Sequence, residues 1–117
     1  MHYKNTVTSL KTSFLVIMLS FSFQLSAGET IVIDVRTQAE WDSGYLASAT
    51  HIPANEIGTK IASAVKSKDT EILLYCASGG RSGRVTKQLL ELGYSNAVNL
   101  GGIRDAAKTL DAPIIRP

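Results

Sequence analysis

Short apolar runs typical of buried strands alternate along this chain with segments whose apolar residues recur at helical spacing. Residues 30–35 (TIVIDV) are rich in β-branched side chains without strict polar alternation, which suits a strand buried on both faces of a parallel sheet. Residues 71–75 (EILLY) form the clearest strand. Strands and helices joined by short links favour right-handed crossovers. We therefore predict a single α/β domain with a mostly parallel central sheet and helices on both faces.

The first helices carry their own start signals. Thr37 and Glu40 have the spacing of a capping box, which predicts a short helix that ends near Gly44. Residues 49–53 then form a brief strand, and Asn55 is the predicted N-cap of a second helix. The apolar face of that helix is predicted to consist of Ile57, Ile61, Ala64 and Val65.

The second half repeats the pattern. A helix after residue 76 is predicted from Val85, Leu89 and Leu92, and Gly93 occupies the position of a C′ residue. Residues 97–100 (AVNL) form a further strand, and residues 112–117 (APIIRP) are predicted to be an irregular tail. The last helix has an apolar face formed by Ile103, Ala106, Ala107 and Leu110.

Residues 1–27 have the pattern of a secretory signal peptide. Lys4 and Lys11 precede an uncharged apolar run over residues 14–25, and small residues follow it. The run is shorter than the roughly 20 residues of a membrane span, so an uncleaved anchor is the weaker alternative. We predict an exported protein without membrane association after cleavage, periplasmic in a Gram-negative cell and secreted otherwise, whose folded domain is residues 28–117.

The formal net charge of +2 belongs to the predicted signal. Without Lys4 and Lys11, ten basic residues stand against ten acidic ones. A domain with this balance gives no argument for binding nucleic acid, and the single tryptophan, Trp41, offers no stacking platform for bases. The length suffices for one hydrophobic core, and we predict a monomer.

The single cysteine, Cys76, stands at the predicted end of a strand and before a helix. A lone cysteine is often an inert core residue, and it cannot form an internal disulfide. In open α/β sheets, however, ligands bind at this end of the strands, and a helix N-terminus stabilises a thiolate. Ser78, Gly79 and Gly80 allow backbone amides to surround the sulfur, and Arg81 and Arg84 add positive potential. We therefore interpret Cys76 as a reactive thiolate.

Three motifs, in the same order, resemble those of the rhodanese family of sulfurtransferases. Residues 76–82 (CASGGRS) resemble its active-site loop C-x-x-G-x-R-[ST], and residues 33–53 resemble its D-V-R-x-x-x-E-[FW] … G … A … [NH]-I-P signature. Residues 92–103 resemble its G-Y-x-x-V-x-x-L-x-G-G ending. The chain is identified as similar to exported single-domain members, which implies a rhodanese-like fold for residues 28–117.

The resemblance also implies a double-displacement sulfur transfer. Cys76 would take the sulfane sulfur of a donor such as thiosulfate, carry it as a persulfide, and pass it to a thiophilic acceptor such as cyanide or a thiol. Arg81 would position the anionic donor, and no metal or organic cofactor is implied. The substrate-binding residues implied by the motif are Ala77, Ser78, Gly79, Gly80, Arg81 and Ser82.

Two other functions stay open at this point. The first is a non-catalytic rhodanese-fold module that binds a partner or delivers sulfur to it. The second is a cysteine phosphatase or arsenate reductase, whose loop has the spacing C-x5-R. Cys76 and Arg81 have the spacing C-x4-R, and Ser82 occupies the longer spacing, so this second alternative is the less favoured one.

Five other polar or aromatic residues are predicted to have structural roles. Asp34, Arg36 and Glu40 are predicted to form a buried network that holds the first strand to its helix, outside the site. His51 has no second ligand at metal-binding spacing, which favours a structural role. Trp41 is predicted to pack against the core.

Overall fold

The computed structural model describes residues 28–117, in which strands and helices alternate as the sequence predicts. The predicted signal peptide, residues 1–27, lies outside the described residues and stays a prediction. No helix within the described range is long and apolar enough to cross a membrane. The elements are β1 Thr30–Asp34, α1 Gln38–Asp42, β2 Tyr45–Leu46, β3 Ala49–His51, α2 Ile57–Ala64, β4 Glu71–Cys76, α3 Gly80–Glu91, β5 Ala97–Gly102, α4 Ile103–Leu110 and β6 Ile114–Ile115.

A four-stranded sheet in the order β3-β1-β4-β5 forms the centre of the molecule, and all its neighbouring strands are parallel. In β1, Ile33 pairs with Thr50 of β3 on one side and with Leu74 of β4 on the other. Parallel neighbours place all the carboxyl ends at one edge, which is where the loop after β4 leaves the sheet. The predicted α/β architecture is confirmed.

Buried side chains form one cluster on each face of the sheet. Successive strand residues point to opposite faces, so Ile33 and Leu74 belong to one cluster while Val32 and Tyr75 belong to the other. On the first face, α2 and α3 contribute Ile57, Ile61, Val85 and Leu89. On the second face, α4 contributes Ala106, against which Ile103, Ala107 and Leu110 gather.

Asp34 and Arg36 form a buried ion pair between the end of β1 and the turn after it. Oδ2 of Asp34 accepts a hydrogen bond of 2.7 Å from Nη2 of Arg36, and Oδ1 accepts one of 2.9 Å from the Arg36 amide. Arg36 also donates to the carbonyl of Gly44 at 2.6 Å. Because burial without partners is costly for both charges, these contacts keep the pair stable in the interior. The network predicted for these two residues is confirmed.

Two predicted helix details are wrong. Asn55 is not an N-cap, because it lies in a 3₁₀ turn over Ala54–Glu56, and α2 begins after that turn without a side-chain cap. Within the turn, the Glu56 amide donates to the carbonyl of Pro53 at 2.8 Å, so a backbone acceptor replaces the expected side chain. Ala64 does not belong to the apolar face of α2, since it is exposed.

Leu92, at the end of α3, is also wrongly predicted to be buried. It is the C-cap residue of the helix and its side chain is 45% exposed. The core position at this end belongs to Tyr94, whose amide donates to the carbonyl of Leu89 at 3.0 Å. Gly93, between them, has a φ of +96°, as expected for a C′ glycine.

The C-terminal segment is not the predicted irregular tail. Ile114 and Ile115 form β6, which pairs antiparallel with Leu46 and Tyr45 of β2. The carbonyl of Pro113 extends this pairing by accepting a hydrogen bond of 3.2 Å from the Ala47 amide. Ile114 of β6 therefore packs against the second buried cluster.

Trp41 is not packed in the core as predicted. It is partly exposed on α1 and stacks between Tyr45, at 4.1 Å between ring centroids, and His51, at 4.8 Å. His51 has the structural role predicted for it, because Nε2 of its ring bonds to the carbonyl of Arg36 at 2.8 Å. The stack joins α1 to β2 and β3.

Candidate active site

Cys76 is the last residue of β4 and is 1% exposed. Residues 77–79 form the loop that follows, and α3 begins at Gly80. The regular pairing of β4 with β5 is interrupted between Leu74 and Cys76, and Cys76 then pairs with Gly102. The predicted location at the junction of a strand and a helix is confirmed.

Two hydrogen-bond donors point at the sulfur. The amide of Gly79 lies 2.9 Å from Sγ of Cys76, and Oγ of Ser82 lies 3.3 Å from it. Gly79 has a φ of +103°, a left-handed conformation that side chains disfavour, and this bend turns its amide back toward the sulfur. Ser82 is fully buried in the first turn of α3. Both donors stabilise negative charge on sulfur.

These donors lower the pKa of the Cys76 thiol from its ordinary value of 9.0 to about 7. Burial has the largest single effect and acts in the opposite direction, since it raises the pKa. The hydroxyl of Ser82 and the backbone amides of Ser82, Ser78 and Gly79 together outweigh it. The fold therefore holds a substantial fraction of Cys76 as thiolate at neutral pH.

Asn99 of β5 fixes the other side of the loop, and the sequence analysis missed it. Its Nδ2 donates to the carbonyl of Gly79 at 3.1 Å, and its Oδ1 accepts a hydrogen bond of 2.7 Å from Oγ of Ser82. The amide of Gly101 donates to the same oxygen at 2.9 Å. One side chain thus holds both groups that donate to the sulfur. The available signal was a polar residue inside the strand AVNL, two positions before the first glycine of the pair.

Gly102 lets β5 approach the loop closely. A Cβ atom at this position would lie 2.5 Å from the carbonyl oxygen of Ala77 and 3.3 Å from Cα of Ser78. Real Cβ atoms do not approach a backbone oxygen so closely, so a larger residue would displace the loop. The glycine of the third sequence motif therefore positions the cysteine loop.

Arg81 does not extend freely over the loop, because it forms an ion pair with Glu40. Nη1 and Nη2 of Arg81 donate to Oε1 and Oε2 of Glu40 at 2.7 Å and 2.9 Å. The hydrogen bond from Arg81 is the main cause that lowers the pKa of Glu40 to about 2. The prediction that Glu40 belongs to the buried network of Asp34, outside the site, is therefore wrong. The two partners are 41 residues apart, so no local pattern pairs them.

Comparison with known proteins identifies the family. The pattern of the Rhodanese-like domain matches residues 21–108. The chain belongs to the rhodanese family. Thiosulfate sulfurtransferase PspE of Escherichia coli (strain K12) is 35% identical over 97 residues, which cover 83% of this chain and 92% of that relative. A sulfurtransferase of Allochromatium vinosum is 30% identical over 89 residues, covering 76% of this chain and 81% of its own.

A solved rhodanese from E. coli, described as containing anions, has the same fold. It superposes with a TM-score of 0.69 at 32% identity, covering 75% of this chain and 99% of its own. Family, relatives and fold together show that the chain is a rhodanese-type sulfurtransferase. The family and enzyme class predicted from the three motifs are confirmed.

The loop residues predicted from the rhodanese motif lie in different surroundings. Gly79 and Ser82 donate to the sulfur, and Ser78 contributes its amide to the lowered pKa of the thiol. Ala77, Ser78 and Gly80 are exposed at the rim of the loop. Arg81 is partly exposed and is held by α1 through its ion pair.

An open cavity of about 470 Å³ lies beside Arg81. A second cavity, of about 420 Å³, lies at the amino-terminal ends of the strands and so at the opposite edge of the sheet from Cys76. Within residues 28–117, no group of three or more His, Cys, Asp or Glu side chains is placed to hold a metal ion. The cavity beside Arg81 is lined by Val35, Thr37, Gln38, Pro53, Ala54, Asn55, Glu56 and Arg81.

Proposed function

We propose that this rhodanese uses Cys76 as a sulfur carrier, with thiosulfate or a similar sulfane donor and with cyanide or a thiol as acceptor. The observation that carries the proposal is the pair of donors aimed at Sγ together with a thiol pKa of about 7. At that pKa, roughly half of the side chain is thiolate at neutral pH, against about one part in a hundred for a thiol with the ordinary value.

In the first half-reaction, the Cys76 thiolate attacks the outer sulfur of thiosulfate. A new S–S bond forms to Cys76, the S–S bond of the donor breaks, and sulfite leaves with the electron pair. The product on the protein is an anionic persulfide. The amide of Gly79 and the hydroxyl of Ser82 donate to Sγ and so stabilise the thiolate that begins this step.

In the second half-reaction, the acceptor attacks the terminal sulfur of the persulfide. Cyanide forms thiocyanate, or a thiolate forms a new persulfide, and the electron pair of the broken S–S bond returns to Cys76 as thiolate. No net oxidation or reduction of the protein occurs, so the cycle needs no redox cofactor.

Arg81 has the role of orienting an anionic donor. Its side chain is partly exposed, and Arg81 is the second residue of the helix that begins after the cysteine loop. Arginine N–H groups match the oxygens of oxyanions such as thiosulfate. The related E. coli rhodanese was solved with anions, which supports anion binding in this fold.

Intact-protein mass spectrometry after thiosulfate treatment tests the carrier role. We expect the purified chain to gain the mass of one sulfur atom and to lose it on addition of cyanide, with release of thiocyanate. The near-isosteric variant Cys76→Ser should gain nothing while it keeps a native circular dichroism spectrum. A wild-type chain that gains no sulfur from any small donor would refute the carrier role and favour a binding or sulfur-delivery module.

A further inference from the structure

We propose that Glu40 determines which sulfur donors this site prefers, because an anionic donor must compete with the Glu40 carboxylate for Arg81 whereas an uncharged donor need not. The proposal deepens the proposed function and rests on it for the identity of the reaction. Independently of which reaction occurs, Glu40 sets the affinity of the cysteine site for anions.

The ion pair between Glu40 and Arg81 occupies the end of the guanidinium. Both carboxylate oxygens are engaged, at 2.7 Å and 2.9 Å, and the two side chains are only 32% and 31% exposed. Such a bidentate, partly buried pair is stronger than an ordinary surface pair. An incoming oxyanion therefore finds two of the five N–H groups of Arg81, the pair at the end of the guanidinium, already bonded.

The carboxylate of Glu40 is itself held in place. Its Oε1 accepts hydrogen bonds of 3.0 Å from both the amide and the hydroxyl of Thr37, within the capping box of α1. Glu40 cannot follow a donor toward the loop without breaking that cap. Glu40 therefore competes with an anionic donor for the Nη1 and Nη2 groups of Arg81, and the donor gains both only if Arg81 leaves Glu40.

The charged side chains that line the cavity beside Arg81 connect this competition with donor choice. Among the described residues that line the cavity, Arg81 is the single cation and Glu56 the single anion. Glu56 is paired with Lys60 at 2.7 Å, outside the cysteine loop. With Glu40 bonded to Arg81, the cavity offers an anion no unpaired positive side chain among these lining residues.

Glu40→Gln removes the competing charge with little other change. Glutamine serves equally well at the third position of a capping box, so α1 keeps its cap. A neutral amide oxygen holds a guanidinium less strongly than a carboxylate does, so Arg81 becomes available to anions. Asp42→Asn is the matched control, because it makes the same change of charge on the same helix at an exposed position bonded to Gln38.

The test compares the rates at which two reagents of nearly equal shape alkylate Cys76 in the purified full chain. Iodoacetate is anionic and iodoacetamide is neutral, so the ratio of their rates reports the anion affinity of the site and cancels changes in thiolate fraction. We expect Glu40→Gln to raise the ratio about fivefold and Asp42→Asn to leave it within about twofold. An unchanged ratio in Glu40→Gln, or an equal rise in Asp42→Asn, would refute the proposal.

A double variant shows whether Glu40 acts through Arg81. In an Arg81→Ala background there is no guanidinium to release, so Glu40→Gln should change the ratio by less than about twofold. If Glu40→Gln still raised the ratio fivefold in that background, competition for Arg81 would be refuted. The effect would then come only from the negative charge of Glu40 acting at a distance. Alkylation needs no sulfur transfer, so this result stands or falls separately from the carrier role of Cys76.

Steady-state kinetics then relate anion affinity to donor choice. We expect Glu40→Gln to lower KM for thiosulfate by about the same factor, and to leave KM for an uncharged organic trisulfide unchanged. If KM falls equally for both donors, Glu40 does not discriminate between them and the selectivity claim is wrong.

Discussion

At the scale of the residue, the pKa of Cys76 depends on one proton of Ser82. Its hydroxyl has a single hydrogen but faces two good acceptors, Oδ1 of Asn99 at 2.7 Å and Sγ of Cys76 at 3.3 Å. With a neutral thiol the closer amide oxygen is the better acceptor. Once the sulfur is ionised, a charge-assisted hydrogen bond favours the sulfur instead. Ser82 therefore stabilises the thiolate, and with it the nucleophile, without needing to move.

Ser82→Ala should raise the pKa of Cys76 from about 7 toward 9.0, by about one unit, because its hydroxyl is the strongest of the groups that lower it. The measurement is the rate of alkylation of Cys76 by iodoacetamide as a function of pH. The rate rises with pH as thiolate forms and becomes constant above the pKa, so the midpoint should move to higher pH. Ser78→Ala is the control, since it removes an exposed hydroxyl and keeps the amide. A midpoint that stays near pH 7 in Ser82→Ala would show that the amides suffice.

Sequence patterns predicted where Cys76 lies but not all of its neighbours. Cys76, Gly79 and Ser82 lie within one continuous motif, so their spacing alone places them together. Asn99 reaches the loop from β5, and Glu40 reaches Arg81 from α1, through contacts between residues 17 to 41 positions apart. Such contacts depend on the tertiary fold, and the local patterns around Asn99 and Glu40 do not indicate their partners in the loop.

At the scale of the element, the position of the loop depends on how closely β5 approaches it. Gly102→Ala would place a methyl group 2.5 Å from the backbone oxygen of Ala77, where no flexible side chain can move aside. We expect the free energy of unfolding to fall by about 1–3 kcal/mol. We also expect the pH midpoint of Cys76 alkylation to rise, because the amide donors to its sulfur shift. Urea unfolding measures the first effect.

The control for Gly102→Ala is Gly80→Ala. Gly80 begins α3 on the same loop, but a Cβ there meets no heavy atom within 4 Å. This variant should change the free energy of unfolding by less than about 0.5 kcal/mol and leave the midpoint in place. If both alanine variants behave alike, close approach by β5 does not position the loop.

The elements that the sequence analysis missed are the shortest ones. β2 and β6 have two residues each, too few for any periodicity, and their pairing depends on the chain returning after α4 to lie beside β2. The start of α2 was misplaced for a related reason. Pro53 and the backbone of the 3₁₀ turn satisfy the free N–H group that Asn55 was expected to cap. Long strands and helices with a strong apolar pattern were predicted correctly.

At the scale of the whole molecule, the two buried clusters share one sheet. Neighbouring residues of β4, Leu74 and Tyr75, point into different clusters, and Cys76 belongs to the same cluster as Leu74. Leu46 lies in the other cluster, where its amide donates to Oη of Tyr75 at 3.2 Å. Losing either cluster exposes the strand that carries the nucleophile, so we expect the domain to unfold in one cooperative transition.

Leu46→Ala tests this coupling at a position remote from the sulfur. Leu46 is fully buried, so the cavity left by alanine should cost about 2–5 kcal/mol of unfolding free energy, whereas Leu92→Ala, at 45% exposure, should cost less than about 1 kcal/mol. Urea unfolding is followed by circular dichroism and by fluorescence of Trp41, the single tryptophan. Both signals should share one midpoint, lowered in Leu46→Ala, while the alkylation midpoint of the folded protein stays near pH 7 because no contact of Sγ has changed. If the fluorescence transition precedes the loss of secondary structure, the aromatic stack around Trp41 unfolds separately and the two buried clusters are not coupled.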